Sequence, residues 1–184
     1  MLQQKYTQRV FTIGHSTRPL EEFVELLHAH NVTHLVDIRT IPRSRHNPQY
    51  EQTALQESLP KHGIQYVYIK ELGGLRSSTK KSVNMGWRNT SFRHYADYMQ
   101  TDEFETGIDS LLRLCTDQQC AIMCAEAVPW RCHRSLVADA LIVREVDVYD
   151  IISSSSPKKH SLTSFASVTG SNITYPRVDD DEKA

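Results

Sequence analysis

The stretch VFTIGHSTRPLEEFVELL, Val10 to Leu27, changes its hydrophobic period halfway along. Val10 to Ile13 is a short β-branched run stopped by Gly14, after which Leu20, Phe23, Val24 and Leu27 recur at helical spacing. That pattern predicts a strand followed by a helix. Pro19 suits the first turn of the helix, where a missing N–H costs little, and Glu21 and Glu22 complement the positive end of its dipole, so the helix is expected to begin just after Ser16. Working outward, His34 to Ile38, Tyr66 to Ile69, Ala121 to Cys124 and Val146 to Ile152 read as four further strands. Helical stretches separate most of them. Phe104, Ile108, Leu111 and Cys115 form one stripe behind an Asp102/Glu105 capping pair, and Leu136, Val137, Ala140 and Leu141 form another. Alternation of this kind implies right-handed crossovers and a mostly parallel central sheet covered on both faces, an α/β three-layer sandwich.

The chain of 184 residues has room for one ordinary domain with its own core. Its hydrophobic fraction of 39% and charged fraction of 23% are those of a globular protein. No apolar run approaches the roughly 20 residues that span a bilayer, so no membrane partner is expected. MLQQKYTQRVF at the start lacks the apolar core of a signal peptide, and the expected compartment is the cytoplasm, where Cys115, Cys120, Cys124 and Cys132 are expected as free thiols. Residues 1–152 are expected to form the α/β domain that carries the site, 153–178 an extension packed on it behind a Ser153 to Ser156 joint, and 179–184 a flexible acidic tail. Within the extension, FASVTGSNITYP predicts a C-terminal hairpin or an edge strand around Gly170 to Asn172. Leu72 to Asn89, with Gly73, Gly74, Ser77, Ser78 and Gly86, is long for a connection and reads as a functional loop, a candidate lid.

Sites in parallel α/β sheets form beyond the carboxyl ends of the strands. Strand one is followed by Gly14, His15 and Ser16. Strand two contains Asp37 and runs into Arg39, Arg43, Arg45 and His46; strand three runs into Glu71, Gly73 and Gly74. Strand four ends in Cys124 and continues through Glu126, Arg131, Cys132, His133, Arg134 and Ser135. These segments carry a resemblance. TIGHS, VDIRTIPRSRHNPQY, ELGGLR, SFRHYADYMQT and CAEAVPWRCHRSLVADAL resemble the prokaryotic family catalogued as domain of unknown function 488, from about Phe11 to LTSFASVTGSNITYP, and the last two motifs are very specific. The resemblance implies a compact α/β fold and a polar site, and it carries no activity with it.

Chemistry is therefore read from the residues. A thiol at the end of a buried strand, near Arg131 and a helix start around His133, sits where positive potential lowers its pKa and makes Cys124 a nucleophile; the alternative is an inert core thiol, as expected for Cys115 and Cys120. Cys132 reads as a resolving thiol, a ligand or a bystander. Glu126 is two residues beyond Cys124 and on the same side of an extended chain, as a general acid or base or as a salt-bridge partner of Arg131 or Arg134. His15 and His133 are candidate proton carriers, or orienting and capping groups. Asp37 and Glu71 join the substrate-binding set, with Asp37 alternatively pairing with Arg39. Arg39, Arg43, Arg45, Arg131 and Arg134 argue for an anion, and Ser16, Ser135 and free backbone N–H groups at a helix start add donors; the alternative is a solvated basic rim. The path from strand-end cysteine to arginine and into a helix is analogous to the phosphate cradle of cysteine phosphatases and rhodaneses, with Pro129-Trp130 stiffening a longer loop.

His15, Cys124, Cys132 and His133 are metal-ligand types whose spacing matches no zinc pattern, so no metal or other cofactor is expected. Trp87, Trp130, Tyr50, Phe92 and Tyr95 are either core or stacking surfaces for a base. Together these point to a hydrolase or transferase acting on a phosphate-bearing small molecule or nucleotide. The runner-up is a non-catalytic module that grips nucleic acid or nucleotide through the same arginines. A third reading is an interaction domain whose polar loops only stabilise the fold. The net charge of -1 supplies no global attraction to nucleic acid, and no signature sets the oligomeric state.

Overall fold

The computed structural model describes residues 8–77, 79 and 81–177, so the acidic tail expected at 179–184 lies outside the described residues. Five strands run parallel: β1 Arg9–Gly14, β2 His34–Asp37, β3 Gln65–Tyr68, β4 Cys120–Cys124 and β5 Asp147–Ile151. Their order is β3-β2-β4-β1-β5, and the short β6 Lys158–Lys159 adds antiparallel to β5. In register, Val10 faces Cys120 on one side and Val148 on the other, which brings Gly14 level with Cys124.

The pleat sends alternate residues to opposite faces, and both faces are apolar. Val10, Val36, Ile122 and Val148 join one core; Phe11, Ile13, Leu35, Met123 and Ile151 join the other. Helices α1 Leu20–Ala29 and α2 Gln52–Ser58 cover the second core, through Phe23, Leu27 and Leu55. Helices α3 Thr90–Tyr98, α4 Asp102–Leu114 and α5 Arg134–Ile142 cover the first. This is the three-layer α/β sandwich that the alternation of periods predicts. Among the described residues no helix is long and apolar enough to cross a membrane.

The strands lie within a residue of their expected bounds at each end, whereas the helices differ more from the sequence reading. Helix α1 starts at Leu20 and not just after Ser16, because Ser16 takes a left-handed φ of 51° and Arg18 N–H closes a turn on the His15 carbonyl; Pro19 is the N-cap residue. Helix α4 is capped by Thr101, whose hydroxyl accepts from the Phe104 N–H, while Asp102 and Glu105 lend charge to the first turn and Glu105 also pairs with Arg144 at 2.6 Å. Helices α2 and α3 have no counterpart in the sequence reading. The apolar face of α3 is aromatic, Phe92, Tyr95 and Tyr98, and its start is fixed by Asn89, whose side chain accepts from the N–H groups of Ser91 and Phe92.

The polar stretch before α3 is tied down by a buried carboxylate. Asp97 accepts from Thr79, Ser82 and the Asn84 amide at 2.6–2.7 Å, and Asn84 in turn accepts the Tyr175 N–H at 2.8 Å. Beyond β6 the chain forms a hairpin of its own, β7 Ser167–Thr169 and β8 Asn172–Thr174, turning at Gly170 with φ 62°. Tyr175 follows and is fully buried, donating its hydroxyl to Asp139 of α5 at 2.8 Å.

His160 joins this segment to the body, with Nδ1 2.9 Å from Asp150 of β5 and Nε2 3.5 Å from Asp139. Burial opposes its charge, but the two carboxylates outweigh burial and raise its pKa to about 9. A histidine raised in the folded state stabilises fully below its unfolded pKa of about 6.5 and loses that contribution as pH rises through the folded value. The His160 contribution is therefore expected to fall by roughly 2 kcal/mol between pH 6.5 and 9.5, read as the difference in stability between the parent and His160→Asn across that range. Denaturant melts across that range check it; a slope unchanged by the substitution refutes the assignment.

Candidate active site

From β1 the chain runs to β2 on one side, and from β4 it runs to β5 on the other. Strands β1 and β4 are neighbours, so the point where the connections diverge lies between their carboxyl ends, the place where open α/β sheets form ligand crevices. Their ladder continues past the strands: His15 N–H donates to the Cys124 carbonyl at 3.0 Å and Ser16 N–H to the Ala125 carbonyl at 2.9 Å. A Cβ on Gly14 would collide with the Glu126 carbonyl, so the loop after β4 rests directly on that glycine. Cys124, 2% exposed, thereby becomes part of the lining of a cleft of about 430 Å³.

Arg134, the first residue of α5, is fully buried and turned toward that sulfur. Its Nη1 donates to Cys124 Sγ at 2.8 Å and to the Glu126 carbonyl at 2.7 Å; Nη2 donates to the Ala127 carbonyl at 3.2 Å. Its Nε donates to Thr12 of β1, whose hydroxyl donates onward to Asp150 at 2.6 Å. Among the described residues no carboxylate pairs with Arg134, and Cys124 is the one ionisable acceptor that its guanidinium touches. Burial raises the Cys124 pKa, yet a hydrogen bond from the Cys132 thiol and the Arg134 charge outweigh it, bringing the value down to about 7. The sequence reading gave this role to Arg131. Arg131 instead is exposed on the cleft wall, with no side-chain partner among the described residues.

The cleft also takes in Arg39, Arg43, Glu126, Cys132 and His133. Arg39 is clamped by Asp37, Nε to Oδ1 at 2.9 Å and Nη2 to Oδ2 at 2.6 Å, and Tyr66 donates to the same carboxylate at 2.7 Å. Asp37 is thus fully used in holding Arg39 and faces no substrate. Arg43 is exposed and unpaired among the described residues, as is the Glu126 side chain. His133 donates from Nε2 to the Ile38 carbonyl at 2.9 Å, and burial lowers its pKa to about 4. A Cβ on Gly74 would collide with His133 Nδ1, which explains why a glycine stands there.

The remaining candidates lie elsewhere. His15 is buried behind Arg39, stacked on Tyr50 at 4.2 Å and held neutral by burial, with its pKa lowered to about 4. Ser16 contributes backbone to the β1–β4 ladder. Arg45 is exposed away from the cleft, and Glu71 offers its carbonyl to Tyr98 at 2.6 Å. Ser135 donates to the Cys132 carbonyl and lines a second cleft of about 280 Å³ with Trp87, Trp130, Lys158 and His160. Of the aromatic residues considered as stacking surfaces, Trp130 is 63% exposed, Phe92 lines the Cys124 cleft, and Tyr50 and Tyr95 are core. Sequence reasoning missed Thr12 altogether and placed Arg134 on the substrate. One signal was available: α5 is apolar nearly all round, so polar residues within it must be buried.

Among the described residues no three His, Cys, Asp or Glu side chains converge to hold a metal ion. A family model described as "Domain of unknown function DUF488" matches residues 19–141, from α1 through α5, including Cys124 and Arg134. No curated protein and no solved structure matches the chain.

Iodoacetamide labelling of Cys124 followed across pH is expected to show an inflection near 7. Arg131→Ala should leave that inflection in place, whereas Arg134→Lys, which keeps the charge and loses the fork, should move it upward. Movement with Arg131 alone would return the activating role to the loop. Gly14→Ala is expected to destabilise the fold by about 1–3 kcal/mol in denaturant melts, because the Glu126 backbone must give way.

Proposed function

The chain belongs to the domain of unknown function DUF488 family, and we propose that it is an enzyme acting on a phosphorylated, nucleotide-like substrate with Cys124 as nucleophile. The observation that carries this reading is the Arg134–Cys124 contact of 2.8 Å in the lining of an open cleft whose walls hold two unpaired guanidinium groups, Arg43 and Arg131. A nucleophile needs a thiolate, and a buried cation with no carboxylate partner favours one. Arg43 and Arg131 match the forked geometry of a phosphate, and Arg39, fixed by Asp37, adds a third positive group. Ile41 and Leu75 flank the same cleft with apolar surface, 58% and 70% exposed, suited to the uncharged body of such a substrate.

In this reading the Cys124 sulfur attacks phosphorus, the phosphorus–oxygen bond to the leaving group breaks, and a thiophosphoryl intermediate forms. Glu126, at the rim, is placed to give a proton to the departing oxygen and then to take one from the water that releases phosphate. His133 and His15, engaged with the Ile38 carbonyl and with Ser16 and Arg39, orient their neighbours in this scheme and carry no proton.

The test is turnover of an aryl phosphate and a nucleotide panel together with phosphate titration calorimetry. Cys124→Ser is expected to lower kcat by at least roughly 10³-fold while leaving phosphate affinity intact. Arg43→Ala combined with Arg131→Ala is expected to weaken phosphate binding by roughly tenfold or more per lost contact. Phosphate binding that disappears with the arginines, without turnover that depends on Cys124, would make the chain a binding module instead.

A further inference from the structure

The four cysteines are all unbridged, and they fall into two neighbouring pairs, Cys124 with Cys132 and Cys115 with Cys120. The pairs differ in what surrounds them. At the first, one residue touches both sulfurs: Arg134 donates from Nη1 to Cys124 Sγ at 2.8 Å, and its backbone N–H points to Cys132 Sγ at 3.5 Å. On its other flank Cys132 Sγ lies 3.5 Å from Nδ1 of His133. Because Nε2 of that ring donates to the Ile38 carbonyl, Nδ1 is left as an acceptor facing the thiol. Both sulfurs belong to residues that line the 430 Å³ cleft. At the second pair no cation bonds either sulfur among the described residues; Cys120 Sγ donates weakly to the Gln118 carbonyl at 3.7 Å.

We propose that Cys124 and Cys132 form a redox pair, in which the Cys124 sulfur reduces a hydroperoxide and Cys132 closes a disulfide with it. This goes beyond the phosphoryl reading, since it requires neither phosphate nor Arg43 and Arg131. In the first step the Cys124 thiolate attacks the terminal oxygen of R–O–O–H. The O–O bond breaks, a sulfenic acid forms on Cys124, and the departing alkoxide takes a proton from water to become the alcohol. In the second step the Cys132 sulfur, oriented by Nδ1 of His133, attacks the Cys124 sulfur. The S–O bond breaks, and the departing hydroxide takes the Cys132 proton as the S–S bond forms and leaves as water. Two thiols and one hydroperoxide thus become one disulfide, one alcohol and one water. A small thiol returns the pair to the reduced state by exchange. Closure draws two neighbouring sulfurs to about 2.0 Å, and oxidation removes the nucleophile from the cleft.

The test treats the reduced full chain with hydrogen peroxide and with an alkyl hydroperoxide, followed by thiol counting, peptide mapping and dimedone trapping. The expected result is loss of two thiols and a bridge joining Cys124 to Cys132, reversed by dithiothreitol, with Cys115 and Cys120 still reduced. Consumption at pH 7 should be at least about threefold faster than by free cysteine, the gain in thiolate fraction less the lower nucleophilicity of a weaker base. Cys132→Ser, and Cys132→Ala as a second variant, should stop at a dimedone-trapped sulfenic acid on Cys124. The Arg43→Ala, Arg131→Ala double variant should oxidise like the parent, which separates this proposal from the phosphate reading. A sulfenic acid that persists on Cys124 in the parent, a bridge that includes Cys115 or Cys120, or peroxide consumption no faster than that of free cysteine would overturn it.

Discussion

A guanidinium buried without a carboxylate is the constraint around which this molecule is arranged. Burying an unpaired ion costs several kcal/mol, so every polar group within reach of Arg134 has to be aimed at it. Four groups answer it from three places: Thr12 on β1, Cys124 at the end of β4, and the carbonyls of Glu126 and Ala127 in the loop. Two strands, a loop and a helix start are thereby fixed relative to one another by one side chain. The bend of the loop over Gly14 follows, because its carbonyls must face inward to reach the cation. The lowered pKa of Cys124 follows too, since among the described residues it is the one ionisable group that the guanidinium touches.

Charge is sorted by depth. Asp37 lies beneath Arg39, and Asp139 and Asp150 lie beneath His160, so these carboxylates are spent on interior partners. The guanidinium groups of Arg43 and Arg131, which have no such partner among the described residues, stand at the cleft. A chain whose net charge is only -1 thus gathers two unpaired guanidinium groups, facing the Glu126 carboxylate, at the carboxyl ends of its strands. Local placement, and not composition, sets what this surface attracts.

The layers were legible in the sequence because strands β1 and β4 are short β-branched or apolar runs and α1 and α4 carry clean helical stripes. Helix α3 was not, since its buried face is built from aromatic residues that also suit strands, and its cap Asn89 lies in a stretch that reads as loop. Of the site, the segment after β4 was readable as the centre, and Cys124, Glu126, His133, Arg39, Arg43 and Arg131 do meet at one cleft. Which arginine turns inward was not readable from spacing alone. Arg131 and Arg134 are three residues apart on a path that includes the Pro129–Arg131 turn, and the phase of that turn sends one to solvent and the other to the core. His15 looked like a proton carrier because it follows β1, and Asp37 like a substrate group because it ends β2; packing uses both to support Arg39.

The strand order bears on how this chain can reach its native state at all. Strand β1 pairs with no strand from its own half of the sequence: Val10 lies beside Cys120 and Val148, more than a hundred residues downstream. The strand that follows β1 in the chain, β2, is held apart from it by β4. A growing polypeptide emerging from the ribosome can therefore pair β2 with β3 early, but its first strand waits, both edges open, until the segment through β5 has been made. Loop closure over such separations is slow, and an exposed apolar strand with two free edges is what chaperones that hold nascent chains recognise.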